Sequence, residues 1–401
     1  MAEKKLRIGV VGLGRGFTVM LPTLVFHPRT EVIAAVDTRA EARARFAEDF
    51  KGTAYESVDE MCNTSEIDAV YIATPHHLHS DNAISAAKAG KHILVEKPMA
   101  LRTEDCTRMI EAAASNDVHL LVGHSHSYDA PIKLAKKIID SGAYGPVRQI
   151  TGLNYTDFIY RPRRADELNT TLGGGVVYSQ AAHQIDIARL LAGGIIETIY
   201  AVTGNYDPNR PTEGIYSAIL KFANGSVANL TFSGCGHFDS DEFCGWRGET
   251  GKLKNPKDYG LARQRLREIT SGCSEETFKA NSGYGGPLAK PFPENLPREI
   301  SHEHFGLFVI SCPGADIRPM PEVVKVYADE EVIEHDLDPP TVPRAEVFDE
   351  LCGVVLDGDL PLHTGEWGRA TFEACQAIIK SANDGCEVRL FHQVPTPFPN
   401  P

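Results

Sequence analysis

The chain has 401 residues and a formal net charge of −14, with 42% hydrophobic and 23% charged residues. That length exceeds what a single hydrophobic core usually serves, so two domains are expected, and the composition excludes a disordered polymer. An acidic balance without any long basic run argues against nucleic acid or an anionic membrane surface as partner.

The chain enters a strand-like run directly after MAEKK, with no apolar signal region before it. No stretch reaches the roughly 18 consecutive apolar residues that a membrane span needs. Nine cysteines are scattered from Cys62 to Cys386 without a C-x-x-C pair. Reduced thiols in a cytoplasmic protein fit that pattern better than a disulfide framework or a zinc site.

The first elements read as a nucleotide-binding unit. Leu6–Val11 (LRIGVV) is a β-rich apolar run, followed by Gly12-Leu13-Gly14-Arg15-Gly16-Phe17 and a helix-compatible stretch. A second apolar run, Val32–Val36, ends at Asp37. Strand, glycine turn, helix, strand and acid, in that order, spell a βαβ dinucleotide site. The glycines let the backbone approach a pyrophosphate, whose charge is met by N–H groups at the helix start. Asp37 stands where a carboxylate accepts from both ribose hydroxyls and repels a 2′-phosphate, which favours NAD over NADP. Arg39 is the counter-signal, since a guanidinium can take that phosphate. Phe17 occupies the place of the third glycine, so helix packing there must differ.

The alternation continues with strands at Ala69–Ala73, His92–Val95 and Val118–Val122 and helices at Asp81–Ala89 and Cys106–Ala114. This succession implies a parallel, doubly wound sheet with ligands at the carboxyl ends of its strands. At those ends lie Thr74-Pro75-His76-His77-Leu78-His79, Glu96-Lys97-Pro98 and His124-Ser125-His126. Arg15, Thr74, Pro75, His76, His79, Glu96 and Lys97 therefore join Gly12, Gly14, Gly16, Phe17 and Asp37 as candidate cofactor contacts. Three histidines in four positions invite a metal, but no carboxylate or cysteine adjoins them at ligand spacing, and no metal is expected.

The EKP of Glu96–Pro98, TPHHLH one unit earlier, and GGG-x7-H-x2-D from Gly173 to Asp186 form an ordered set. Together with GEWGRATFEACQAIIKSA at 365–382, the set resembles the glucose–fructose oxidoreductase/inositol dehydrogenase (Gfo/Idh/MocA) family. The resemblance implies an α/β fold: an N-terminal Rossmann domain (1–125) with a parallel sheet, then an α+β substrate and oligomerisation domain (126–401) whose open, mostly antiparallel sheet carries the substrate pocket. It also implies that Lys97 is the catalytic acid/base and that His183 assists it. The chemistry agrees, because hydride loss from a carbinol carbon requires the hydroxyl to lose its proton to a suitably tuned base. The family usually has an aspartate four residues before the histidine; here Ser179 stands there, on the same helical face. Asp186 shares that side and could fix the tautomer of His183. The arginine common after the fifth strand's glycine is absent, and His124 and His126 take its place.

Val147–Tyr155 is expected to be the second domain's first strand, which puts YRPRR (Tyr160–Arg164) on the loop that lines the family's substrate pocket. Guanidiniums suit carboxylates, which a planar fork binds bidentately. Tyr160, Arg161, Arg163, Arg164, His126 and Ser179 are accordingly candidate substrate contacts. The competing reading is that the arginines only pair with Asp157, Asp166 and Glu167. The stretch FIYRPRR…GGGVVYSQAAHQID is similar to the branch of the family that oxidises phthalate cis-4,5-dihydrodiol with NAD, and it implies a small anionic diol substrate. A sugar, inositol or other polyol dehydrogenase, an NAD-using glycosidase, and a cofactor-sensing regulator without catalysis are the alternatives. A homo-oligomer, dimer or tetramer, is implied as well.

Farther on, Ser217–Phe222, Ser226–Phe232 and Val323–Tyr327 read as strands, with Asn224-Gly225 as a hairpin turn. Residues 239–301 form a polar segment longer than an ordinary loop, suited to a lid or an oligomer arm. The tail VPTPFPNP reads as a proline-rich extended end.

Overall fold

The computed structural model describes residues 4–296 and 299–397. The chain divides into two compact units. The first comprises Met1–His124, Glu276–Arg298 and Thr341–Arg369; the second comprises Ser125–Glu275, Glu299–Pro340 and Ala370–Pro401.

The first unit holds a six-stranded sheet built from β1 (Leu6–Val11), β2 (Thr30–Val36), β3 (Thr53–Tyr55), β4 (Ala69–Ile72), β5 (His92–Val95) and β6 (Leu120–Val122). The order is β3-β2-β1-β4-β5-β6, and every pairing is parallel. Helices α1 (Arg15–Phe26), α2 (Ala40–Phe50), α3 (Val58–Thr64), α4 (His79–Lys88) and α5 (Thr103–Ser115) connect the strands. The sheet is covered on both faces, so β1, β4 and β5 are near-continuous apolar runs rather than alternating ones. The strand order reverses between β1 and β4, and the crevice at that switch point is where such sheets bind nucleotides.

Two later segments complete this unit and explain Phe17. The ring of Phe17 is fully buried, edge-on to Tyr284 at 5.0 Å, with Phe50 at 6.2 Å. Tyr284 is anchored in turn by its hydroxyl on Asp49, at 2.7 Å. The close helix–strand approach usually served by a third glycine is made at Gly16, where a Cβ would stand 3.2 Å from that of Ala73. Residues 239–301, expected as one long polar excursion, thus include helices Leu261–Gly272 and Glu275–Ser282 and a buried tyrosine.

The second unit opens with α6 (Ala130–Asp140) and is built on a nine-stranded sheet. Its strands are β7 (Gln149–Tyr155), β8 (Ile196–Gly204), β9 (Ile215–Phe222), β10 (Val227–Ser233), β11 (Leu307–Cys312), β12 (Ala315–Pro319), β13 (Val323–Ala328), β14 (Val332–Asp336) and β15 (Val388–Arg389). The order is β14-β13-β12-β11-β7-β10-β9-β8-β15. Only β7 and β10 pair in parallel; the other neighbours are antiparallel. Burial alternates along β9 and β10, as a sheet with one covered face requires. α6 and α7 (Ala182–Ala192) pack on the covered face. Arg189 of α7 is fully buried; it donates to Gly194 O (3.1 Å) and Thr371 Oγ1 (2.7 Å), while the tail returns a bond from Thr396 N to Gly193 O at 3.2 Å. The part of the tail beyond residue 397 lies outside the described residues. No helix among the described residues is long and apolar enough to cross a membrane.

Candidate active site

The turn between β1 and α1 has the features a pyrophosphate requires. Gly12 has φ +93°, and a Cβ there would lie 2.9 Å from Ala73 O; Gly14 faces open space up to Ala73 O at 3.9 Å. Gly14 caps α1 with no side-chain hydrogen bond, and the first turn carries no acid. The N–H groups of the helix start are thereby kept for an anion. Arg15, exposed, begins the helix. Asp37 ends β2 and is 9% exposed. Its Oδ2 accepts from Leu13 N at 2.8 Å, and its Oδ1 accepts from Arg39 N and Nε at 2.9 and 3.0 Å. Arg39 also donates to Leu13 O and Tyr284 O. The guanidinium is thus folded onto the acid expected to meet the ribose. Glycine turn, uncapped helix start and terminal carboxylate together fit a dinucleotide.

The loops after β4 and β5 are tied to one another. His79, fully buried, sets Nε2 3.0 Å from Thr74 O and Nδ1 3.0 Å from Pro98 O. Burial pulls its pKa down, and a neutral ring donates to only one of the two carbonyls. His79, expected among the cofactor contacts, therefore links the two loops from beneath. Pro75 is exposed, and Thr74 and His76 are half-buried beside it. Glu96 accepts from Tyr71 Oη at 2.6 Å. Burial pushes its pKa up, opposed by that hydrogen bond and by the charges of Lys97 and Arg344. Lys97 follows at the carboxyl end of β5, half-buried.

In the second unit, His183 lies in the first turn of α7 and is 5% exposed. Its ring stands 4.7 Å from that of His126, at 71°, and 4.7 Å from that of Phe305. The structure thus brings His126 and His183 together against one phenylalanine. The residues before α7, Val177–Ala181, form a π-helical turn. That wider winding alters the i,i+4 relation expected for Ser179, whose hydroxyl donates to Gly175 O on its own helix. Asp186 accepts from the hydroxyls of Ser127 and Thr371.

The arginines of the loop after β7 have separate surroundings. Arg163 stacks on Phe158, its Cζ 3.7 Å from the ring centroid, and donates to Phe158 O. Arg164 pairs with Asp166 through Nε at 3.1 Å and Nη2 at 3.3 Å. Arg161 approaches Glu249 at 3.6 Å and the ring of Phe158 at 5.4 Å from its centroid, and its side chain is 41% exposed. Tyr160 lies under Arg263, whose Cζ is 3.9 Å from its ring centroid. The competing reading of local pairing thus describes Arg164, and Arg161 is the most loosely engaged.

Sequence reasoning missed Asp129, whose Oδ2 lies 2.7 Å from His126 Nδ1, and Glu303, buried with them. The i,i+3 spacing of His126 and Asp129 was a signal for the first; nothing local to Glu303 pointed to the second.

Comparison with known proteins accords with both units. Residues 6–124 match GFO_IDH_MocA, an oxidoreductase family with an NAD-binding Rossmann fold, and residues 132–254 match the GFO/IDH/MocA C-terminal domain. The chain is 46% identical over 377 residues, 94% of each chain, to 1-carboxy-3-chloro-3,4-dihydroxycyclohexa-1,5-diene dehydrogenase of Comamonas testosteroni. A crystal structure described as that of a dehydrogenase from Bordetella bronchiseptica RB50 superposes with a TM-score of 0.90 at 37% identity, covering 96% of this chain and 100% of that one. Levoglucosan dehydrogenase, solved with NADH and levoglucosan, shares the fold (TM-score 0.72, 19% identity, 97% and 100% covered).

Proposed function

The chain belongs to the Gfo/Idh/MocA family of NAD-dependent oxidoreductases, and from that premise we propose that it oxidises the cis-dihydrodiol of a ring carboxylate. Phthalate cis-4,5-dihydrodiol, converted to 4,5-dihydroxyphthalate, is the specific case. The observation that carries this reading is the 46% identity across 94% of both chains to a dehydrogenase named for a carboxylated cyclohexadiene diol.

Bound NAD+ supplies the hydride acceptor, and Gly12, Gly14, the start of α1 and Asp37 would hold it. Lys97, as the neutral amine, accepts the proton of the hydroxyl whose carbon is oxidised. Glu96, the residue before Lys97, is fixed by Tyr71 and so limits the play of the lysine. His183 serves as the second acid/base: the ring ketone loses a proton from carbon and gains one on oxygen, and the product becomes an aromatic catechol. Aromatisation makes the overall oxidation downhill. Arg161 takes a ring carboxylate, because its guanidinium is the least committed of the three.

The test is NADH absorbance with purified protein, NAD+ and a panel of cis-dihydrodiol acids, inositols and sugars. Turnover of the dihydrodiol acids is expected. Turnover confined to sugars or inositols would replace this reading with a polyol dehydrogenase.

A further inference from the structure

Three ionisable groups of the second unit meet in its interior without any part in the steps above. His126, Asp129 and Glu303 are 1%, 5% and 8% exposed, and each offers a donor atom within 4.8 Å of the others'. Asp129 holds the N-cap position of α6, where an aspartate ordinarily accepts from the helix's first N–H groups. Here its side chain makes no capping bond and turns to His126 Nδ1 instead.

Glu303 lies in the run Ser301-His302-Glu303-His304, whose two histidines are committed to the backbone. His302 Nε2 bonds Asp338 O at 2.9 Å, His304 Nε2 bonds Arg247 O at 2.7 Å, and His304 Nδ1 accepts from Gly306 N at 3.0 Å. The segment is pinned on either side of Glu303, which fixes where that carboxylate points. Phe305 closes the cluster with its ring 5.0 Å from that of His126. Two carboxylates beside an imidazole, walled by a phenyl ring, are expensive to bury as anions: several kcal/mol each remain even after relaxation. A dication cancels that charge.

We propose that His126, Asp129 and Glu303 bind one divalent transition-metal ion. An imidazole with two carboxylates suits Zn2+, Mn2+ or Fe2+ better than the all-oxygen preference of Ca2+ or Mg2+. One imidazole and two carboxylates from this unit leave coordination positions for further ligands. His183, one ring away from His126, stands beside the ion. The histidines of the loop after β4, which alone invited a metal in the sequence, take no part.

The test uses the full chain, stripped with chelator, re-equilibrated with Mn2+ or Zn2+ and assayed by elemental analysis and calorimetry. One equivalent per chain is expected, with a melting temperature raised by the ion. Glu303→Gln and His126→Gln should each weaken binding by about 10–100-fold or more and abolish the thermal shift, whereas exposed His77→Gln should leave both intact. Circular dichroism and NADH binding verify that the variants fold; wild-type stoichiometry decides the matter even where they do not. No stoichiometric binding by the wild type, which would mean that the carboxyls share a proton, overturns the site. So does undiminished binding in both variants. Neither readout depends on the substrate, so the outcome is separate from that of the proposed reaction.

Discussion

The two units differ in what meets the ionisable groups of their candidate sites. In the first, two groups of the candidate cofactor site are answered by main chain or by a near neighbour in sequence. Asp37 is met by Leu13 N and by Arg39 two residues away, and His79 by the carbonyls of Thr74 and Pro98. In the second, side chains gather from separate stretches of chain: His126 and Asp129 lie beside Glu303, and Asp186 accepts from the hydroxyls of Ser127 and Thr371. Backbone partners are fixed by strand order and survive a side-chain substitution. Side-chain partners do not, and removing one leaves the other buried and uncompensated. The first unit should therefore localise its chemistry in single residues, while the second should lose function in groups.

Lys97→Met is the sharpest probe of that difference. Turnover should fall by about 100- to 10,000-fold, the range for a lost general acid/base, while NADH affinity read by fluorescence titration stays unchanged. Near-normal turnover would move the proton transfer to the second unit's histidines and break the comparison. Next in size is a stability effect. Phe17→Ala should cost about 3–5 kcal/mol in denaturant unfolding, because a fully buried ring is lost beneath Tyr284. Combined with Tyr284→Ala, the loss should be less than the sum, since the two rings share one contact. Full additivity would mean that the segment around Tyr284 does not depend on Phe17.

How much of this was legible follows the same division. The strands Leu6–Val11 and His92–Val95 were readable to the residue, because a strand buried on both faces is an apolar run bounded by turn residues. β3, three residues long and exposed at its first, offered no such run. The glycine turn, Asp37 and EKP lie within short spans whose order carries the meaning. Phe17 could be seen as a departure, but its partner Tyr284 sits more than 260 residues away and only the fold joins them. Glu303 is the extreme case. Its place beside His126, far away in the chain, comes only from the tertiary fold, which no local pattern encodes. The winding around Ser179 was illegible for a different reason: a π-helical turn has no periodic signature that distinguishes it from an α-helix in five residues.

The smallest expected effects separate the arginines of the loop after β7, and they test whether the second unit contains any singly acting group. Arg161→Ala should raise KM for dianionic substrates by about 10–100-fold with kcat little changed, as expected for a charge-assisted contact made equally in ground and transition states. Arg164→Ala should change KM less than about twofold and stability by less than about 1 kcal/mol, because its half-exposed pair with Asp166 is screened by solvent. Burial pushes the Asp166 carboxyl up, but the hydrogen bond and charge of Arg164 outweigh it and hold it below the usual range. The loss of Arg164 should therefore appear mainly as a raised Asp166 pKa, measurable by NMR titration, and not as lost recognition. If the KM effects are reversed, the arginine paired with its neighbour is the one that releases its partner to take the substrate, and the loosely held guanidinium of Arg161 is only a surface charge.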